Sequence, residues 1–248
     1  MLFLCEHALD KFKDFFEKYT DNYVLIGGTA CSVIFDEIGQ DFRATKDLDI
    51  VLIIENLGDD FADKLWNFIK SAGYKIEVGQ NKKQFYRFSK PLDSSYPKMI
   101  ELFSRNQGIK LADDAHLQPL HISDDISNLS SILLNDDYYN FLIEGKKIID
   151  GISVLDEKHL IPFKAKAWCE LTDRRNSGDE GQSKHIKKHY RDIYRLSRLL
   201  VPNDQVEIKD MIRADMERFI NNIFSNDNTS ADIDKQSLYD ILKNVYLN

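Results

Sequence analysis

Hydrophobic positions change their period along this chain, and the changes mark out its elements. Leu9, Phe12, Phe15, Phe16 and Tyr19 recur at helical steps, which predicts an amphipathic first helix. Asp21-Asn22 interrupts it, and Tyr23, Val24, Leu25 and Ile26 follow as an uninterrupted apolar run that reads as a buried strand. Gly27-Gly28-Thr29 then leads into a short predicted helix over residues 30–37, ended by Gly39. A polar loop over residues 40–46 enters a second strand at residues 48–54. Gly58-Asp59-Asp60 opens another helix, with Phe61, Leu65, Phe68 and Ile69 on its buried face and Gly73 as its stop. Strand-like runs come next at residues 74–78, 85–88 and 98–103. Between Gly108 and Asp150 the signal is mixed. A short helix is expected near residues 126–134 and strands at 138–143 and 147–150, with Tyr138 and Tyr139 as packing residues of a half-buried strand.

Around residues 153–155 the character changes, and everything afterwards reads as helical. Pro162 fits the first turn of a helix running to about Leu171, whose apolar stripe is Phe163, Ala167, Trp168 and Leu171. Residues 173–183 offer no apolar side chain to a core and predict a mobile loop. Helices are expected at 184–200, near 206–224 and at 235–246. The pattern is α+β: a mixed-sheet domain with flanking helices over residues 1–153, then a helical domain over 154–248.

Composition narrows the classes. A length of 248 residues and a hydrophobic fraction of 43% suit an ordinary soluble protein with a substantial core. The net charge of −8 argues against indiscriminate nucleic-acid binding while permitting a local basic face. Cys5, Cys31 and Cys169 are odd in number and lack metal spacing, as expected of buried thiols in a reducing cytoplasm. Glu6 and Asp10 near the N-terminus do not suit a signal peptide, and no apolar run is long enough for a bilayer, so no membrane association is expected. His7, His116, His121, His159 and His185 have no paired zinc spacing among them, and neither a P-loop nor a nucleophile-elbow motif occurs.

The chemistry concentrates between Asn22 and Glu55. Two glycines at the end of a strand let a ligand approach the backbone, and the helix after them would aim its unpaired N–H groups at phosphate oxygens. Asp47 and Asp49, two apart where a strand begins, leave on one face. Paired hard oxygens beside a phosphate cradle suggest a Mg²⁺ site that orients an NTP. Glu101 is the one charge in the apolar run Met99-Ile100-Glu101-Leu102-Phe103, where a carboxylate without a partner is expensive. Further on, Lys184, Lys188, Arg191, Arg195 and Arg198 recur at steps of four and three and share one helical face, with Asp192 a turn after Lys188.

Gly27-Gly28-Thr29-Ala30, followed by Arg43-x-Thr45-x-Asp47-Leu48-Asp49, resembles the nucleotidyltransferase superfamily of DNA-polymerase-β-like fold. Its form looks most like the AbiEii branch, the toxins of abortive-infection and toxin–antitoxin systems. Leu160-Ile161-Pro162-Phe163-Lys164 and Lys188-His189-Tyr190-Arg191-Asp192 resemble the later motifs of that branch, with His189 where many relatives carry an acidic residue. The resemblance implies a nucleotidyltransferase sheet domain and transfer of a nucleoside monophosphate from an NTP to an acceptor hydroxyl. It implies Mg²⁺ held by Asp47, Asp49 and Glu101, and nucleotide contacts from Gly27, Gly28, Thr29, Arg43, Lys164 and Lys188. Asp192 would orient a lysine or assist deprotonation of the acceptor. The implied acceptor is RNA, tRNA included, and a cognate antitoxin is the implied protein partner. Two alternatives stand beside this: nucleotidylation of a small molecule such as an antibiotic, and a non-catalytic nucleotide-binding module of the same fold. The intact acidic triad argues against the second.

Overall fold

The computed structural model describes residues 3–77, 85–104, 132, 135–225 and 233–248. By internal contacts the chain forms two compact units whose segments interleave. The first takes in the chain up to residue 135 together with residues 146–155; the second takes residues 136–145 and everything from residue 156. The chain therefore crosses between them at 135/136, 145/146 and 155/156, where the sequence places a single change of character near residue 153.

The first unit is an α+β layer structure built on a mixed sheet. Its strands are β1 (Tyr23–Ile26), β2 (Asp47–Leu52), β3 (Lys75–Glu77), β4 (Phe85–Ser89), β5 (Met99–Ser104), β6 (Lys146–Ile149) and β7 (Ile152–Leu155), in the order β3-β4-β5-β2-β1-β7-β6. β1 runs antiparallel to β2 and parallel to β7, while β2 runs parallel to β5. All four β1 residues are buried, as a strand with neighbours on both edges and cover on both faces requires.

Among the described residues, the α-helices of this unit are α1 (Phe3–Phe16), α2 (Gly27–Glu37) and α3 (Asp59–Ala72). Phe12 and Phe16 of α1 meet Phe68 of α3 edge-on at 5.9 and 5.3 Å between ring centroids, and Phe12 meets Tyr23 of β1 at 5.3 Å. α1 and α3 thus cover the face of the sheet from which Tyr23 points. Tyr23 is paired with Leu52, so the alternate residues Ile50 and Leu48 share that face. Asp47 and Asp49 leave from the opposite one. α2 begins at Gly27 itself, earlier than the sequence pattern suggests, so the glycine pair forms the first turn of the helix.

The second unit is helical: α4 (Asp136–Glu144), α5 (Glu157–Asn176), α6 (Ser183–Ser197), α7 (Asp210–Asn221) and α8 (Lys235–Leu247). The strand expected at 138–143 is α4 instead. Asp136 and Asp137 occupy its first turn, and Tyr138, Tyr139, Phe141 and Leu142 are buried. Helical spacing and tertiary packing override the β-preference of two tyrosines; Tyr138 packs edge-on against Phe163 at 5.1 Å and donates to Asp215 at 2.9 Å. The helix expected near 126–134 lies outside the described residues except for Ile132.

α5 starts before Pro162, capped by Asp156, whose side chain accepts from the His159 N–H at 2.8 Å. Pro162 is therefore inside the helix, where it cannot donate to the Lys158 carbonyl four residues back. The Tyr246 hydroxyl of α8 donates to that carbonyl at 2.6 Å and satisfies it. The expected loop at 173–183 is also shorter than its composition suggests. α5 continues to Asn176, a 3₁₀ turn occupies Glu180–Gln182, and the Asp179 carboxylate accepts from the Gly181 N–H and from Gln182 Nε2. Polar side chains supply the order there that apolar ones do not.

Candidate active site

The β1–α2 turn sets the geometry. Gly27 has φ +67°, a left-handed backbone that favours glycine, and a Cβ placed there would collide with Oδ2 of Asp49. The Asp49 carboxylate therefore lies directly against bare backbone at the start of α2. At Gly28 a Cβ would stand 2.6 Å from Cγ2 of Thr45 and 3.0 Å from Nη2 of Arg43, so the guanidinium lies over the second glycine. The structure thus gathers Gly27, Gly28, Arg43, Thr45 and Asp49 at one spot.

Thr29 is buried, and its hydroxyl donates to the backbone carbonyl of Asp47 at 2.7 Å. That commits its proton to fixing the start of β2, so toward an anion the Thr29 hydroxyl has no proton to give. A cleft of about 480 Å³ opens here, lined among others by Thr29, Phe42, Arg43, Asp47, Tyr96 and Lys98. Of the three candidate acids, Asp47 alone lines it.

Glu101 is buried on β5, in register with Asp49 on β2. Burial and then the nearby Asp49 carboxylate push its carboxyl well up, to about 8, against the pull of the Arg87 guanidinium; it also hydrogen-bonds Asp49. Arg87, on β4 and in register with Glu101, was missed by the sequence reading. Its signal was available: Arg87 is the single charge in Phe85-Tyr86-Arg87-Phe88, just as Glu101 is in its own strand. Two lone opposite charges in neighbouring apolar strands are good candidates for a cross-strand pair. Here Arg87 donates to Oε1 of Glu101 from both Nε, at 2.9 Å, and Nη2, at 2.7 Å.

No protein-family model matches the chain, and neither a curated protein nor a solved structure gives a significant match. The chemistry of the site is accordingly read from its own residues. Among the described residues, no three His, Cys, Asp or Glu side chains gather as a ready metal cage. The donor chemistry nevertheless suits Mg²⁺, which takes hard oxygens and is commonly held by one or two carboxylates with substrate phosphates completing its shell. Asp47 and Asp49 on one strand face, with Glu101 beside Asp49, supply such oxygens.

The remaining candidates lie in the second unit. Lys164 of α5 and Asp192 of α6 form a buried ion pair at 2.9 Å, with side-chain exposures of 5% and 2%. The Lys164 ammonium donates to Oδ2 of Asp192, and the pair leaves the lysine little surface. Lys184, Lys188 and Arg191 are exposed on α6, Arg195 is half-buried, and exposed Arg198 caps the helix C-terminus. Asp192 is buried on α6 with Ile186, Tyr190, Ile193 and Leu196.

Proposed function

We propose that the chain is a nucleotidyltransferase of the DNA-polymerase-β-like kind, which moves a nucleoside monophosphate from an NTP to an acceptor hydroxyl. One observation carries the reading: the Asp49 carboxylate is set against the Gly27 backbone, with Glu101 in register beside it and Arg43 over Gly28. An acid pair, a helix start with no Cβ at its first two positions and a guanidinium at one spot are the parts that transfer from a triphosphate needs.

Arg43 and the first-turn N–H groups of α2 would bind the β- and γ-phosphates, with the cleft beside Asp47 receiving the rest of the nucleotide. Mg²⁺, when bound, would supply charge neutralisation between the carboxylates and the triphosphate. The acceptor oxygen attacks the α-phosphorus in line, the bond from that phosphorus to the bridging oxygen breaks, and pyrophosphate leaves. The proton of the acceptor hydroxyl passes to a carboxylate, for which Asp49 and Glu101 are placed.

The exposed cations of α6 favour an RNA acceptor, as in the toxin-like branch, over a small molecule, because they offer a row of phosphate contacts on one helical face. Incubation with each labelled NTP, Mg²⁺ and total RNA, followed by separation of RNA, protein and small-molecule fractions, tests both points. Label is expected in RNA, dependent on Asp49. Label in the small-molecule fraction alone would identify the antibiotic-type reaction, and no transfer to any fraction would remove the enzyme reading.

A further inference from the structure

We infer that Arg87 is the positioning residue of the carboxylate site, holding Glu101 through Oε1 and so fixing its carboxyl beside Asp49. The inference rests on the proposed reading of Asp47, Asp49 and Glu101 as the metal-binding acids.

The geometry is specific. An arginine and a carboxylate commonly meet fork to fork, with each N–H on its own oxygen. Here Nε and Nη2 both converge on Oε1. The pair is well shielded, with side-chain exposures of 19% for Arg87 and 9% for Glu101, so the contact is little screened by water. Its backbones are fixed as well. Arg87 is in register with Glu101 across antiparallel strands, and Glu101 is in register with Asp49 across parallel ones. Arginine, glutamate and aspartate therefore form a row across β4, β5 and β2, with Glu101 in the middle. Its carboxyl has Arg87 on one side and a hydrogen bond to Asp49 on the other.

Charge makes the arrangement suitable for a cation rather than hostile to it. Asp47, Asp49 and Glu101 outnumber the nearby cations Arg87 and Arg43 when all are ionised, so the cluster keeps a net negative charge toward a cation. Arg87 is held by Glu101 at the far end of the row from Gly27, so it lowers the charge without standing at the β1–α2 turn. A residue that orients a metal ligand in this manner typically changes metal affinity by about 10- to 100-fold when lost.

Mn²⁺, a spectroscopic substitute for Mg²⁺, tests this on the full chain without nucleotide, by paramagnetic resonance titration. Arg87→Met is expected to weaken Mn²⁺ binding at least about tenfold. Arg87→Lys, which keeps the charge and one donor, should recover most of it. Glu101→Gln should weaken binding similarly, and adding Arg87→Met to it should have no further effect, because Arg87 acts through Glu101. A purely structural arginine would instead alter melting in both backgrounds and leave Mn²⁺ affinity unchanged. Unchanged or tighter Mn²⁺ binding in a folded Arg87→Met protein, with binding still lost in Asp49→Asn, would overturn the role of Arg87 and leave the nucleotidyltransferase reading in place. If the wild-type chain binds no Mn²⁺, both fall. Should Arg87→Met fail to fold, Arg87→Lys and Arg87→Gln carry the same comparison, and equal affinities across them would overturn the inference.

Discussion

Glu101 stands directly across from Asp49 on adjacent parallel strands, and their two carboxyl groups share a hydrogen bond. The contact has a sign in pH. The Glu101 carboxyl is raised from its ordinary value of 4.5 to about 8 in the folded chain, by burial first and Asp49 second. Between those values the folded state keeps a proton that the unfolded state has released, so stability is full at low pH and falls as pH rises toward 8. Without divalent ions, the melting temperature of the wild type should therefore decline relative to Glu101→Gln between about pH 5 and pH 8. Parallel melting profiles would show that Glu101 ionises normally.

Gly27 is the position where the smallest added group has the largest effect. Gly27→Ala forces a left-handed backbone on a residue with a Cβ and drives that atom into the Asp49 carboxylate. The expected cost exceeds about 1 kcal/mol in urea denaturation, together with loss of NTP turnover. A Gly27→Ala protein with full stability and full activity would contradict the geometry of the turn.

The Lys164–Asp192 pair should behave as buried ion pairs do. Lys164→Met alone removes one partner of a buried charge and should cost up to about 3–5 kcal/mol. Combining Lys164→Met with Asp192→Leu should restore much of that, since an apolar pair needs no desolvation of charge. Chemical denaturation of the two singles and the double measures the coupling. A Lys164→Met variant of near wild-type stability that had lost only NTP affinity would instead support a phosphate contact for Lys164.

The α6 cations predict a salt dependence. If Arg195 and Arg198 meet RNA phosphates, replacing each by alanine should weaken RNA binding at all sequences and reduce the slope of log affinity against log salt by about one. NTP affinity should stay unchanged. Filter binding at several salt concentrations distinguishes this from a merely solvated face, which would leave the slope as it is.

What the sequence disclosed and what it concealed follow from the range of the interactions. Tyr23–Ile26 is a local pattern and forms β1 over the same residues, and the strand expected at 48–54 forms nearby as β2. The expected α4 strand failed because two adjacent tyrosines carry a strand preference locally, whereas their burial against Phe163 and Asp215 is set by residues far along the chain. Pro162 misled in the same manner, since the hydroxyl that tolerates it inside α5 belongs to Tyr246. Arg87 was overlooked because its meaning lies in register: only the pairing of β4 with β5 shows that it faces Glu101. Thr29 was assigned by resemblance to phosphate, and its tie to the Asp47 carbonyl became visible only once α2 and β2 were placed together.

The interleaving of the two units has a consequence for biosynthesis. β1 leaves the ribosome well before β7, with which one of its edges pairs, Leu25 opposite Val154. Until that hairpin has been translated, the middle strand of the sheet carries an open row of backbone donors and acceptors on that side, a surface on which nascent chains mispair. Residues 136–145, already synthesised by then, belong to a unit whose remaining helices are still to come. Nascent chains stalled before β7 should therefore be the ones most dependent on chaperones, and release should come with the arrival of a four-residue strand.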